Sequence, residues 1–430
     1  MKSMSISNQK IGGLFGLAGP QSLASVAKSI LFSRLEAIQI GRLTVEDNGE
    51  VRTFGTSARG DDGETLSAKI IIHDPEAYTR ILFNSATGSG EAYMMGYWSS
   101  PNLVDVVRVI VANQSSLNNM DSGWSWLSKY VSRFGELARA NTKQGSRRNI
   151  SAHYDLSNEF FSLFLDSTMM YSSAIFKDKD TSLEEAAVAK LDHICKRLRL
   201  SPEDHLLEIG TGWGGMALYA ARYYGCKVTT TTISNEQYEM ACARVAQEKL
   251  QDQITVLKHD YRDLKGTYDK IVSIEMVEAV GHQFYSSFFS KCSQLLKPNG
   301  LMLMQAITTQ DRRYEKEKNQ TDFIRKYIFP GGCLPSNEVV ARHIRMDTDM
   351  HIVGLEDITL DYAQTLACWR DRFFKRINDV KALGFDEVFI RMWDFYLCYC
   401  EGGFRERVIN TSQFMFAKPR CKDLPQVLSE

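Results

Sequence analysis

The densest chemical signal in the chain is the run His205-Leu206-Leu207-Glu208-Ile209-Gly210-Thr211-Gly212-Trp213-Gly214-Gly215. Its apolar start reads as a short buried strand, and Met216-Ala217-Leu218-Tyr219-Ala220-Ala221 reads as a helix that follows at once. Glycines between them let the backbone approach a ligand closely, and a helix N-terminus offers unpaired N–H groups. Strand, glycine turn and helix together make a cradle for a nucleotide-type cofactor. Gly210-x-Gly212-x-x-Gly215 formally matches a dinucleotide fingerprint, which alone is weak. A nicotinamide cofactor needs an acid about 20 residues further on, ending the second strand and holding the ribose. Here that strand is Val228-Thr229-Thr230-Thr231-Thr232-Ile233, with no acid at its end. Trp213 inside the turn would crowd a pyrophosphate. An aromatic cover better suits a cofactor with a positive sulfonium and no phosphate, which is S-adenosylmethionine. The competing reading is a tight turn that binds nothing.

The elements that must position this turn follow from periodicity. After the strand 205–209 come a helix at 214–224, a strand at 227–233, a helix at 235–250 and a strand at 254–259. Tyr268 to Ile274 is a fourth strand, a helix spans 282–296, and Lys297-Pro298-Asn299-Gly300 is a turn into a buried strand, 301–307. Alternating strands and helices imply a mostly parallel sheet covered on both faces. Residues 309–346 are polar, helical and too long for an ordinary connection, so a lid or cap is expected there. A strand at 351–355, helices at 361–378 and 386–401 and a strand at 414–417 complete the unit.

Upstream, a helix at 23–36, strands at 39–45, 51–54 and 68–73, and helices from Asp74-Pro75 and over 103–111 form a small α+β unit. Asp47-Asn48-Gly49 and Gly60-Asp61-Asp62-Gly63 are turn signals. The expected organisation is a tail at 1–20, an N-terminal α+β domain at 21–120, a linker at 121–150, the α/β domain at 151–418 and a tail at 419–430. In the linker, Trp124, Leu127, Val131, Phe134 and Ala138 share a helical face, with Lys129, Arg133 and Arg139 elsewhere. That is a basic amphipathic helix, suited to a membrane surface or to packing between domains.

Composition narrows the classes. The chain has 430 residues, 44% hydrophobic and 24% charged, enough to bury a core without cross-links. A net charge of −1 gives no global field toward nucleic acid or anionic lipid. Nine cysteines without a CxxC pair suggest reduced thiols and a cytoplasmic setting, with no metal-ligand spacing. No run reaches the ~18 apolar residues of a membrane-spanning helix, so a soluble or peripheral protein is expected.

Several long motifs then converge. They are His153-Tyr154-Asp155-Leu156-Ser157-Asn158-Glu159-Phe160-Phe161, Met170-Tyr171-Ser172-Ser173-Ala174, the 207–215 run, Thr232-Ile233-Ser234-Asn235-Glu236-Gln237, Glu275-Met276-Val277-Glu278-Ala279-Val280-Gly281 and Lys326-Tyr327-Ile328-Phe329-Pro330-Gly331-Gly332-Cys333-Leu334-Pro335. In this order they resemble the cyclopropane-fatty-acid-phospholipid synthase family, strongly over 150–418 and weakly over 20–120. The resemblance implies a class I methyltransferase fold with a seven-stranded sheet and a helical cap. It implies S-adenosylmethionine bound by Tyr171, Ser172, Glu208, Gly210, Gly212, Trp213, Gly214, Thr232, Ile233, Gln237, Tyr261 and Arg262. It also implies action on unsaturated phospholipid acyl chains, peripherally on the inner membrane face, with the N-terminal unit as a lipid or homodimer contact.

Methyl transfer to an isolated alkene makes a carbocation, which must be stabilised and then deprotonated for a ring to close. The resemblance implies bicarbonate as the base, held at Ser173, Glu278, Gln305 and Tyr362, with Cys400 at a family cysteine position. Glu278 is expected to end the fourth strand. Ser173 stands where a cysteine is usual and Gln305 where a histidine is usual. Gln305-Ala306-Ile307 resembles the branch that includes the plant-type enzymes. Three outcomes stay open: cyclopropanation, a methyl-branched or methylene product, and a lipid-binding protein that has lost catalysis. Arg312, Arg313, Lys316, Arg325 and Lys326 suit either a solvated face or lipid phosphates.

Overall fold

The computed structural model describes residues 20–56, 63, 66–118 and 156–424, with 20–22 described by backbone alone. The chain divides into two compact units, Met1–Ser125 and Trp126–Glu430. The expected basic helix of 121–150, the N-terminal tail, most of the turn at 60–63 and His153 to Asp155 lie outside the described residues.

The first unit holds a four-stranded sheet of order β2-β1-β3-β4, from Glu50–Phe54, Arg42–Asp47, Ser67–Ile72 and Trp98–Ser99. β1 and β2 form a hairpin that pairs Asp47 with Glu50, and β1 runs parallel to β3. At its tip Asn48 and Gly49 have φ of 51° and 84°. Two consecutive positive φ values match the right-handed twist of the strands, and Asn-Gly adopts them at low cost. The helix opened by Pro75 is Glu76–Met94, and it breaks at Ser85, where φ is 47°.

The second unit is a seven-stranded sheet of order β10-β11-β9-β8-β5-β6-β7. β5 is His205–Ile209, β6 Lys227–Thr231, β7 Ile254–Leu257, β8 Tyr268–Ile274, β9 Leu296–Thr309, β10 His351–Asp357 and β11 Ile409–Ala417. β7, β6, β5, β8 and β9 are parallel, and β11 lies antiparallel between β9 and β10. Chain order reverses direction at β5, whose neighbours are β6 on one side and β8 on the other. Open parallel sheets bind ligands at such a switch point, beyond the strands' C-terminal ends.

Each face of the sheet buries its own layer. On one, Leu206, Val228 and Val272 pack with Leu191, Ile194, Met216, Ala217 and Val245. On the other, Leu207, Ile271 and Met302 pack with Phe288, Phe289, Val339, Val340 and Ile344. The expected turn Lys297–Gly300 is looped out within β9, where the register jumps from Tyr268/Leu296 to Lys270/Leu301.

The 309–346 segment departs from a simple lid. Its last part, helix Asn337–Asp347, buries Val339, Val340 and Ile344 and is a core layer of the sheet. The earlier part is a helix, Asp311–Glu317, and one π-helical turn, Ile324–Ile328, with Tyr314 and Ile328 buried. Arg325 donates to the carbonyls of Glu317, Lys318 and Gln320, closing the helix end that has no further N–H partners. Arg313 pairs with Glu317 at 2.5 Å. These two arginines are therefore engaged internally.

Candidate active site

The site is assembled on a loop, 166–174, that lies against the glycine turn. Asp166 accepts from the N–H groups of Thr168 (2.6 Å) and Met170 (3.2 Å), curling the chain back on itself. A Cβ at Gly215 would stand 2.6 Å from the Thr168 carbonyl and 2.9 Å from Met170 Sδ. The last glycine of the G-x-G-x-x-G spacing therefore serves the approach of this loop. Arg244 Nη1 ties loop to turn, donating to the carbonyls of Trp213 (2.7 Å) and Thr168 (3.1 Å).

The other glycines shape the turn itself. Gly210, Gly212 and Gly214 all have positive φ, and a Cβ on Gly212 would meet no atom within 4 Å among the described residues. The backbone at Gly212 thus borders open space, as a cofactor cradle requires. Glu208 is buried, accepts from Thr230 Oγ1 at 2.6 Å, and burial pushes its carboxyl up to about 8. Thr232 Oγ1 donates to Gln237 Oε1 (2.8 Å), with Ile233 half-buried between them in sequence. Tyr261 and Arg262 form a 3-10 turn after β7; Asp260 accepts from Arg262 Nε (2.8 Å) and Nη2 (2.6 Å), and the buried Tyr261 hydroxyl has no partner among the described residues. Trp213 is placed differently from the cover its sequence position suggested. Its indole is buried, donates to Asn158 Oδ1 at 2.6 Å and packs 4.9 Å from Phe161, so it braces the turn Asn158–Ser162.

Beyond β8 the geometry corrects one expectation. β8 ends at Ile274, and Glu278 lies in a separate 3-10 turn, Val277–Ala279. The residue leaving the strand end is Glu275, at φ 49°, a conformation uncommon for a side chain of this kind. Glu275 Oε1 accepts from the Ser173 N–H (2.9 Å) and Gln305 Nε2 (2.8 Å), and Oε2 accepts from Tyr362 Oη (2.7 Å). Burial raises its carboxyl above the usual range, opposed by these donors and by the charge of Lys190. Lys190 is wholly buried in helix Leu183–Arg197 and donates to Ser172 Oγ at 2.7 Å; burial pushes its ammonium down to about 8. Glu278 accepts from the Ile307 N–H through Oε1, while Oε2 is buried without a partner among the described residues. Burial, aided by the Glu275 charge, pushes its carboxyl up to about 8. A Cβ on Gly210 would lie 3.2 Å from Met276, so the glycine turn abuts the segment that carries both glutamates.

Neighbouring elements fix these groups. Gln413, paired with Gln305 across β11 and β9, donates to its Oε1 at 2.9 Å and so turns the amide N–H groups toward Glu275. Ala174 and Phe176 N–H groups bond Thr365 and Asp361, sewing the loop to helix Thr359–Lys375. Tyr362 on that helix stacks on Phe404 at 4.5 Å, and Trp369 meets Tyr171 at 5.2 Å and Tyr362 at 6.1 Å. Tyr171 Oη bonds Tyr396 Oη at 2.9 Å. The Ser173 hydroxyl donates to the Ala174 carbonyl, so this residue meets Glu275 through its backbone. Cys400 is a free, half-buried cysteine whose thiol burial pushes up, the opposite of an activated nucleophile.

The structure thus gathers Ser173, Gln305 and Tyr362 as expected, but around Glu275. Sequence reasoning missed Glu275 and Lys190. The signal for the first was present, since an acid directly after a sheet strand stands at the ligand-binding edge. Bicarbonate does not fit: the three donors assigned to it are taken by a carboxylate of the chain itself. S-adenosylmethionine does fit the open glycine turn beside Tyr171, whose ring suits a sulfonium.

A mostly parallel seven-stranded sheet with β11 reversed, and a glycine cradle at its switch point, define a class I methyltransferase. The model of the mycolic acid cyclopropane synthetase family matches residues 141–414, and the chain belongs to that family. It is an S-adenosylmethionine-dependent methyltransferase. It is 36% identical to a tuberculostearic acid methyltransferase of Mycobacterium tuberculosis, covering 92% of both chains. It is 37% identical to the cyclopropane-fatty-acyl-phospholipid synthase of Escherichia coli, covering 82% of this chain and 88% of that one. Among solved structures, a mycolic acid cyclopropane synthase complexed with SAH and CTAB is 33% identical, with a TM-score of 0.59 over 63% of this chain and 98% of that chain.

Proposed function

We propose that this protein transfers a methyl-derived carbon from S-adenosylmethionine to the cis double bond of unsaturated phospholipid acyl chains and closes a cyclopropane ring. Bound in the glycine turn, the cofactor supplies an electrophilic methyl group. The chain's own residues hold the acyl chain beside it and manage the charge that develops. One observation carries the reading: Glu275 and Glu278 lie in the segment, and Tyr171 in the loop, that abut the glycine turn, with Tyr362 bonded to Glu275 and Trp369 packed against both tyrosine rings. Carboxylates and aromatic faces stabilise a carbocation, and a buried carboxylate can accept its proton. Gln305 orients that carboxylate, and Tyr362 holds its other oxygen.

Phospholipid in a bilayer surface is the substrate this reading requires, with the protein attached peripherally. No described helix is long and apolar enough to cross a membrane. The test is purified protein, unilamellar vesicles of a monounsaturated phospholipid and cofactor. Acyl chains heavier by one CH2, lacking the alkene and showing far-upfield ring protons by NMR, are expected; unchanged chains would sink the proposal.

A second reading is a methyl-branched or methylene product. It is favoured by the relative that matches 92% of this chain, which is named a tuberculostearic acid methyltransferase. Methylene protons, in place of ring protons, in the same NMR spectrum would select it.

A further inference from the structure

The donors around Glu275 have a consequence for the reaction's base. Ring closure needs a proton acceptor beside the newly added methyl group. An external anion in that position would have to bind at the Ser173 N–H, the Gln305 amide and the Tyr362 hydroxyl. All three already converge on one side chain, at 2.9, 2.8 and 2.7 Å. A second anion would lose these donors and would sit against the charge of Glu275, with the Glu278 carboxyl also close enough to feel it. Bringing like charges together in a buried site is strongly unfavourable.

We propose that Glu275 is itself the catalytic base of this methyltransferase, and that the reaction proceeds without a bound anion. The inference rests on the function proposed above and names the group that completes it. The alkene π pair forms the new C–C bond to the methyl carbon, and the C–S pair leaves with sulfur. The Glu275 carboxylate then takes one proton from that methyl group. The freed C–H pair closes the ring on the cationic carbon, or forms a methylene if the cation has moved by a hydride shift. The proton remains on Glu275 until product leaves, and then passes to solvent.

Other features support the assignment. Lys190, buried next to Ser172, is a cation within electrostatic reach of Glu275 and favours its ionised form. Glu278, by contrast, gains no buried cation of comparable effect and is pushed up to about 8, chiefly by burial. Of the two carboxyls, Glu275 is therefore the one whose three donors and neighbouring lysine charge favour the ionised form. The unusual φ of 49° at Glu275 aims its side chain into the donor set and is held there by three hydrogen bonds.

The test compares rates in carbonate-free buffer under argon with rates after adding sodium bicarbonate. The wild-type rate is expected to be the same in both. A wild-type rate that falls in carbonate-free buffer and returns with bicarbonate overturns the proposal. Glu275→Gln is expected to lose about 100-fold or more in kcat, the scale of a lost general base. Its thermal shift with S-adenosylhomocysteine should match wild type. Glu275→Gln with near-wild-type kcat also overturns the proposal. Glu275→Gly empties the donor set and is expected to gain bicarbonate binding by carbon-13 NMR and bicarbonate-stimulated turnover. If the variants do not fold, the wild-type comparison still decides. If wild type modifies no lipid in either buffer, the proposed function fails, and carbon-13 NMR of bicarbonate with wild-type protein decides this inference separately: no binding is expected, and binding contradicts it.

Discussion

At the residue scale, two glutamates three positions apart divide the work by environment. Glu275 has three donors and a nearby buried lysine; Glu278 has one donor and an oxygen with no partner among the described residues. The Glu278 shift sets a direction for stability. Its ordinary value is 4.5 and its folded value about 8, so between these pH values the unfolded chain has released a proton that the folded one keeps. The folded state then binds more protons, and stability falls as pH rises through this window. The full difference amounts to about 3 kcal/mol at neutral pH as an upper figure. Glu278→Gln removes this titration, so denaturant melts of variant and parent should diverge from pH 5 to pH 8, with the variant gaining. A constant difference across that range would contradict the assignment. In the sequence, Glu278 was visible as a site acid but Glu275 was not. The strand 268–274 already ended just before Glu275; what hydrophobic periodicity does not encode is the positive φ that turns Glu275 into the donor set. Ser173 was legible as a position, yet its role passes through a backbone N–H that no side-chain argument reveals.

At the scale of elements, strand, turn and helix around Gly210–Gly215 were readable because buried strands, glycine turns and amphipathic helices each leave a local pattern. What the pattern could not show is how the glycines divide their labour. Gly215 admits the 168–170 loop, while Gly212 faces open space. Gly212→Ala should therefore cost only about 1–2 kcal/mol of stability, the strain of a left-handed backbone with a Cβ. Its affinity for S-adenosylhomocysteine should fall about tenfold or more, because the new methyl group stands where the cofactor approaches. Unchanged affinity in a calorimetric titration would remove the turn from the binding site. The lid expectation for 309–346 failed in its last third for a related reason. Val339, Val340 and Ile344 lie on one face of Asn337–Asp347, a helical stripe that polar neighbours obscured. Helix Leu183–Arg197 opens with Ser182 and Glu185 as a capping box, a signal the sequence carried, but the buried charge of Lys190 inside it had no sequence signature.

For the whole molecule, the fold class followed from alternating strands and helices and from motif order, whereas the proposed reaction depends on contacts between residues 30, 87 and 102 positions apart. Ser173, Glu275, Gln305 and Tyr362 come from a loop, two strand regions and a helix, and meet only because β8, β9 and β11 lie side by side. The chain belongs to the mycolic acid cyclopropane synthetase family, and the reaction proposed for its site is methyl transfer followed by loss of a proton from that same methyl group. The most direct measurement supplies the enzyme with S-adenosylmethionine deuterated in its methyl group and with monounsaturated phospholipid vesicles, followed by mass spectrometry of the acyl chains. The account predicts product that gains one carbon with two deuterium atoms. Product carrying three deuterium atoms, or lipid carrying none, would contradict it.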